Sequence, residues 1–122
     1  MKKYLIPAFE RKTKSITAID VRHHTSYTDT LIIIEANSHR QVTSIAEHLI
    51  KSLKKQKTKN IGVEGVKEGE WALLDYGDVI IHIFKSDIKS FYDLEGLWAD
   101  TPRIDLSEFE AAYSSEETND DF

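Results

Sequence analysis

Two runs of residues near the middle of the chain, Trp71–Tyr76 and Val79–Phe84, are rich in apolar, β-branched and aromatic residues. Only Gly77-Asp78 separates them. Two such runs on either side of a two-residue turn predict a β-hairpin, with Gly77 supplying the positive φ that the turn needs. We expect the rest of the chain to be organised around this hairpin.

The predicted hairpin has two unlike faces, because successive side chains of a strand point to opposite sides. One face is almost entirely hydrocarbon and is predicted to belong to the core: Ala72, Leu74, Tyr76, Val79, Ile81 and Ile83. The other face is mixed and is built from three predicted cross-strand pairs: Trp71 with Phe84, Leu73 with His82, and Asp75 with Ile80. A tryptophan, a histidine and a carboxylate together indicate a surface made for something other than packing.

Strands and a helix are predicted before the hairpin. Ile16–Val21 and Leu31–Ile34 are expected to be neighbouring strands, the second of the wholly apolar type that is buried. Ser38 and Gln41 have capping-box spacing at the start of the clearest helix. Its apolar stripe recurs every three or four residues: Val42, Ile45, Ala46, Leu49, Ile50 and Leu53.

A short extended segment, Ile61–Gly65, comes before the hairpin, and a final helix with Ser86 and Asp87 as natural caps comes after it. On a helical wheel Tyr92 falls at one edge of this helix's apolar arc. The order of elements predicts the α/β class, more specifically an α+β two-layer sandwich in which helices pack on a mixed β-sheet.

The chain divides by composition into three parts. Residues 1–14 form a short N-terminal segment interrupted by Pro7, residues 15–104 form the main domain, and residues 105–122 form an acidic tail that is expected to be flexible. Residues 107–122 hold six acids and no lysine or arginine, which explains the net charge of −5. The remainder is nearly neutral, so a protein held to nucleic acid mainly by phosphate neutralisation is not expected.

Several function classes are excluded by composition. With 122 residues and no cysteine, the chain is one domain without disulfides, zinc–thiolate sites or a cysteine nucleophile. No apolar run is long enough to cross a bilayer, and the N-terminus is a poor signal peptide, so a cytoplasmic location without membrane contact is expected. Lysines crowd the end of the main helix at Lys51, Lys54 and Lys55, which is typical of a solvated helix end but also fits a contact with an RNA-rich partner.

Asp75, Asp78 and His82 could together bind a metal, which would suit a metal-dependent nucleotidyltransferase or phosphohydrolase. The alternative is that Asp78 is a turn residue and His82 a half-exposed strand residue. We favour this alternative because the Gly-Ser and paired-Asp motif of nucleotidyltransferases is missing. No catalytic residue, metal or cofactor is therefore predicted.

Trp71 and Tyr92 are large amphipathic side chains that periodicity places outside the main core. Aromatic side chains of this kind often dominate the binding energy of protein interfaces. Peripheral packing in a small domain explains their positions equally well, and periodicity alone does not decide between the two.

An ordered set of motifs in this sequence resembles the ribosomal silencing factors, also called RsfS or Iojap-related proteins. The resembling stretch runs from Ser15 to about Trp98. Its motifs are Asp20-Val21, Ser26-Tyr27-Thr28-Asp29, Ser38-His39-Arg40-Gln41-Val42, Gly62-Val63-Glu64-Gly65, the hairpin itself with Ile81-His82-Ile83-Phe84, and Phe91-Tyr92-Asp93-Leu94-Glu95-Gly96-Leu97-Trp98.

The resemblance implies a nucleotidyltransferase-like fold without catalysis. It also implies binding to the large ribosomal subunit through the ribosomal protein numbered fourteen, which blocks association with the small subunit and represses translation under nutrient limitation. The implied partner-binding residues are Trp71 and Tyr92, and the mixed hairpin face adds Leu73, His82 and Asp75. A minor ribosomal RNA contact through Lys51, Lys54 and Lys55 and a homodimer complete the expected partners.

Overall fold

The structure, a computed structural model, describes residues 1–88, 96 and 101–119. The elements over these residues are α1 (Lys2–Phe9), β1 (Ser15–Asp20), β2 (Thr30–Ala36), α2 (His39–Lys55), β3 (Gly62–Glu64), β4 (Trp71–Asp75), β5 (Val79–Lys85) and α3 (Ser107–Asn119). The strands form one sheet in the order β1-β2-β5-β4-β3. β2 and β5 are parallel, while the other neighbours are antiparallel. The predicted α+β class with a mixed sheet is confirmed.

The central hairpin has the predicted register. Trp71 lies opposite Phe84, Leu73 opposite His82 and Asp75 opposite Ile80. Gly77 has a φ of 87°, and the N–H of Tyr76 donates to the carbonyl of Val79 at 2.9 Å, which closes a two-residue turn. A left-handed φ is costly for residues with a Cβ, so glycine at this position fixes where the strands reverse.

The core between the sheet and the helices contains every residue of the predicted apolar hairpin face, together with the apolar stripe of α2 and side chains of α1. Ser38 caps α2, its hydroxyl accepting from the N–H of Gln41 at 3.1 Å. Leu5 and Ala8 of α1 are buried. The segment expected to be interrupted by Pro7 instead contains the continuous helix α1, with Pro7 inside it and buried.

The C-terminal region differs from the expected flexible tail. Leu106 is buried, and Ser107–Asn119 form a helix that begins directly after it. The ring of Phe9 stacks on Phe109 and on Tyr113, with centroids 5.7 Å and 6.0 Å apart. The apolar contacts that order this segment are made with α1, about a hundred residues earlier, and local composition does not reveal them.

Candidate partner-binding surface

Three side chains of β4 and one of β5 lie on the side of the sheet opposite α1 and α2. Trp71, Leu73, Asp75 and His82 are each half-buried. We call these four residues the Trp71 face. Strand alternation predicted that they share a side, and the register confirms it. Tyr92, the fifth residue predicted for this surface, lies outside the described residues.

Part of the mixed hairpin face is a second core, which corrects the expectation that this face as a whole is free of packing. Ile80 and Phe84 are only 3% and 1% exposed, because the apolar side chains of β1 and β2 continue the same side of the sheet beside them. The run Leu31–Ile34 already indicated this second core, because a strand that is apolar at every position is buried on both sides.

The ring of Trp71 is fixed by two neighbours on β5. Its centroid lies 4.8 Å from that of Phe84 and 6.0 Å from that of His82. Its indole Nε1–H donates to His82 Nδ1 at 3.0 Å. The imidazole stacks on Phe84, with centroids 5.7 Å apart and planes 6° from parallel. An aromatic side chain held in this way loses little conformational entropy when a partner covers it.

His82 is neutral in this arrangement. Burial lowers the pKa of His82 to about 4, because the charged imidazole would be poorly solvated between the two aromatic rings. Since Nδ1 accepts the indole hydrogen, the ring proton is on Nε2. His82 therefore gives the Trp71 face one hydrogen-bond donor and no positive charge at neutral pH.

The two acids proposed for a metal site have other positions and roles. Asp75 Oδ1 accepts the N–H of Gly77 at 2.9 Å, so this carboxylate stabilises the hairpin turn. Asp78 is exposed in the turn itself. Within residues 1–88, 96 and 101–119, no group of three or more histidine, aspartate or glutamate side chains could hold a metal ion. Asp78 therefore lies where the turn-residue interpretation predicted, between β4 and β5.

The register of β3 adds an acid to the rim of the Trp71 face, one that the sequence did not assign to the partner-binding surface. Glu64 is exposed and lies opposite Leu73, on the same side of the sheet. Gly65, with a φ of 76°, follows directly, and a Cβ at this position would overlap the carbonyl oxygen of Trp71. Only a residue without a side chain lets the chain after β3 pass this close to the backbone of Trp71. Asp75 and Glu64 make the rim acidic.

The lysines predicted to contact RNA do not belong to this surface. Lys51, Lys54 and Lys55 are exposed at the end of α2, which packs on the other side of the sheet. No helix in the described part of the chain combines the length and apolar character needed to span a bilayer.

Comparison with known proteins gives a consistent result. The family model described as "Ribosomal silencing factor during starvation" matches residues 2–121. Ribosomal silencing factor RsfS of Haemophilus influenzae is 40% identical over 88 residues, covering 72% of this chain and 86% of that protein. A crystal structure from Bacillus halodurans superposes with a TM-score of 0.76 at 30% identity, covering 86% of this chain and 95% of that one.

A more distant mouse protein is also similar, at 27% identity over 92 residues, or 73% of this chain and 40% of that protein. Its name is "Mitochondrial assembly of ribosomal large subunit protein 1". The family model matches more of the chain than the motifs between Ser15 and Trp98 do. Its match also includes α1 and α3.

Proposed function

The chain belongs to the ribosomal silencing factor family, and on that premise we propose that it binds the large ribosomal subunit through the ribosomal protein numbered fourteen. Bound there, it sterically blocks association with the small subunit and so represses translation when nutrients are limiting. The relatives are named for a regulatory role rather than a catalytic one. The name of the mouse relative refers to the large subunit, which supports the choice of target.

The observation that carries the proposal is the half-buried, preorganised ring of Trp71 on the side of the sheet opposite α1 and α2. Its two aromatic neighbours and the hydrogen bond to His82 hold it in one orientation. Interface hot spots are enriched in tryptophan and tend to lie in patches that are largely desolvated once the partner binds. Leu73 extends the apolar area beside it, while Asp75 and Glu64 suit a partner surface that is basic at its edge.

Steric occlusion requires no chemistry from the protein. A factor that occupies the intersubunit side of the large subunit prevents joining in proportion to its occupancy, which depends on its affinity and its concentration. This mechanism uses a rigid sheet face and needs neither a metal nor a cofactor. The proposed target, rather than the lack of a spanning helix, is the reason to expect a cytoplasmic location.

Co-sedimentation with purified subunits tests the target, and light scattering during subunit mixing tests the mechanism. We expect the protein to sediment with large subunits but not with small ones, and to reduce the amplitude of subunit joining as its concentration rises. Binding to small subunits alone, or binding to large subunits without any effect on joining, would contradict the proposal.

Two other predictions can be tested with the same preparation. A metal-dependent nucleotidyltransferase or phosphohydrolase acting through Asp75, Asp78 and His82 would be stabilised by Mg²⁺ or Mn²⁺ with nucleotides, and we expect no such shift in the unfolding temperature. The homodimer stays a prediction, for which static light scattering across a concentration series is the direct measurement.

A further inference from the structure

A second charged surface lies at the end of α2 and in the segment that follows it. Residues 48–63 contain five lysines and no acid, in a chain whose formal net charge is −5. All five lysines are exposed: Lys51, Lys54, Lys55, Lys57 and Lys59. We call these five residues the lysine cluster.

No ion pair among the described residues neutralises the positive charge of the lysine cluster. The ion pairs among the described residues are Lys14–Glu35, Arg22–Asp20, His48–Glu10 and Lys85–Asp87. In that part of the chain no carboxylate lies within 4.0 Å of an amine of the cluster. The end of α2 therefore presents five cations to solvent at its own negative dipole end, where a lysine is stable without a partner.

The backbone holds the cluster in a defined shape. The N–H of Thr58 donates to the carbonyl of Leu53 at 2.9 Å and the N–H of Lys57 to that of Lys54 at 2.9 Å, which is the Schellman pattern of a helix end. Lys57 has a φ of 61°, so the chain turns sharply here and continues through Lys59 toward β3. Lys51 and Lys55 are one helical turn apart on one side of α2, about 6 Å along its axis.

The composition of the cluster favours phosphate over other partners. Lysine is depleted in protein–protein interfaces, where its long charged chain is costly to desolvate. A membrane-surface helix would need an exposed apolar side, whereas the apolar stripe of α2 is buried in the core. A nucleic-acid backbone is bound by lysines that remain largely hydrated, and it offers regularly spaced negative charges.

We propose that the lysine cluster contacts ribosomal RNA phosphates while the Trp71 face contacts protein. The inference rests on the proposed function, because the large subunit is the source of that RNA. Helix α2 packs on one side of the sheet and the Trp71 face lies on the other, so the two contacts use different parts of the protein surface. The RNA contact of the lysine cluster should weaken strongly as the salt concentration rises. The protein contact of the Trp71 face should depend on salt only weakly.

The test is the salt dependence of binding to purified large subunits. A triple variant with Lys51→Gln, Lys54→Gln and Lys55→Gln should bind more weakly at low salt. The slope of log affinity against log salt should become shallower by roughly 2, since each phosphate contact with a single strand contributes about 0.7. The matched control, Lys12→Gln with Lys14→Gln and Lys67→Gln, removes the same charge elsewhere and should keep nearly the wild-type slope.

A second measurement uses large-subunit RNA stripped of protein. We expect the wild type and the control variant to bind this RNA, and the Lys51/Lys54/Lys55 variant to bind at least tenfold more weakly. That result would support the RNA contact. If the wild type bound stripped RNA in this way but failed to bind intact large subunits, only the proposed function would be refuted. Equal salt slopes for the two triple variants would overturn the proposal. A loss of affinity for subunits without any loss for stripped RNA would assign the cluster to an acidic ribosomal protein instead.

Discussion

His82 is a residue whose environment, rather than its identity, decides its chemistry. Strand alternation predicted its side of the sheet and its cross-strand partner Leu73, because both follow from the length of the turn. The hydrogen bond from Trp71 and the lowered pKa could not be predicted in the same way. The hydrogen bond depends on the exact positions of the two rings, and the lowered pKa depends on the burial of His82 against Phe84.

The pKa of His82 makes stability depend on pH. Its folded value of about 4 lies below the ordinary value of 6.5, so the unfolded chain binds the proton first as the pH falls. Stability is then lost from about pH 6.5 downward and the loss levels off below about pH 4. We expect the wild type to lose roughly 2 kcal/mol more than His82→Gln between pH 7 and pH 5, measured by urea unfolding. Equal losses in both proteins would show that His82 is solvated.

Lys57 is the one non-glycine residue with positive φ in the described part of the chain. A left-handed conformation costs a residue with a Cβ about 1 kcal/mol relative to glycine. Lys57→Gly should therefore stabilise the protein by roughly that amount, whereas Lys51→Gly, inside α2, should destabilise it by about as much. Both variants remove one lysine charge, so their difference in unfolding midpoint isolates the backbone effect. Destabilisation by both would mean that the Schellman end is not retained in solution.

The hairpin shows at the scale of the element what alternation can predict. The assignment of Leu74 to the core needed only the turn position and the two-residue period, and Leu74 is fully buried. The presence of a second core under Trp71 required the neighbouring strand β2, whose position in the sheet local patterns do not specify.

The two faces of the hairpin should differ in their contributions to stability. Leu74→Ala removes a side chain with 0% exposure and should cost about 3 kcal/mol or more of unfolding free energy. Trp71→Ala removes a half-buried ring, so we expect roughly half that cost. Guanidinium unfolding of the two variants makes the comparison. A larger loss for Trp71→Ala would mean that the ring belongs to the core and not to a binding surface.

Helix α3 is the element that sequence reasoning described least well, since its apolar partner Phe9 is far away along the chain. Deleting residues 107–122 should cost about 2 kcal/mol of stability, because it removes two rings that stack on Phe9. Deleting only residues 114–122 keeps both rings, removes four of the six acids, and should leave the unfolding temperature nearly unchanged. If the longer deletion is as stable as the full chain, the aromatic contact contributes nothing.

The molecule as a whole separates its surfaces by sheet side and by charge. Helices α1, α2 and α3 pack on one side of the sheet, and the Trp71 face lies on the other. The net charge of −5 does not show how unevenly the charges are distributed. Residues 48–63 contain five lysines and no acid, whereas residues 107–122 contain six acids and no lysine or arginine. The fold class followed from the order of elements, whereas the strand order and the depth of each side chain required the three-dimensional structure.

The central claim is that the Trp71 face binds the large ribosomal subunit, and the most direct test is the affinity of labelled protein for purified large subunits. We predict that Trp71→Ala weakens binding at least thirtyfold, or about 2 kcal/mol. Tyr27→Ala, which removes an aromatic side chain that is 68% exposed in the loop between β1 and β2, should bind like the wild type. Wild-type affinity in a Trp71→Ala variant that circular dichroism shows to be folded would contradict the claim.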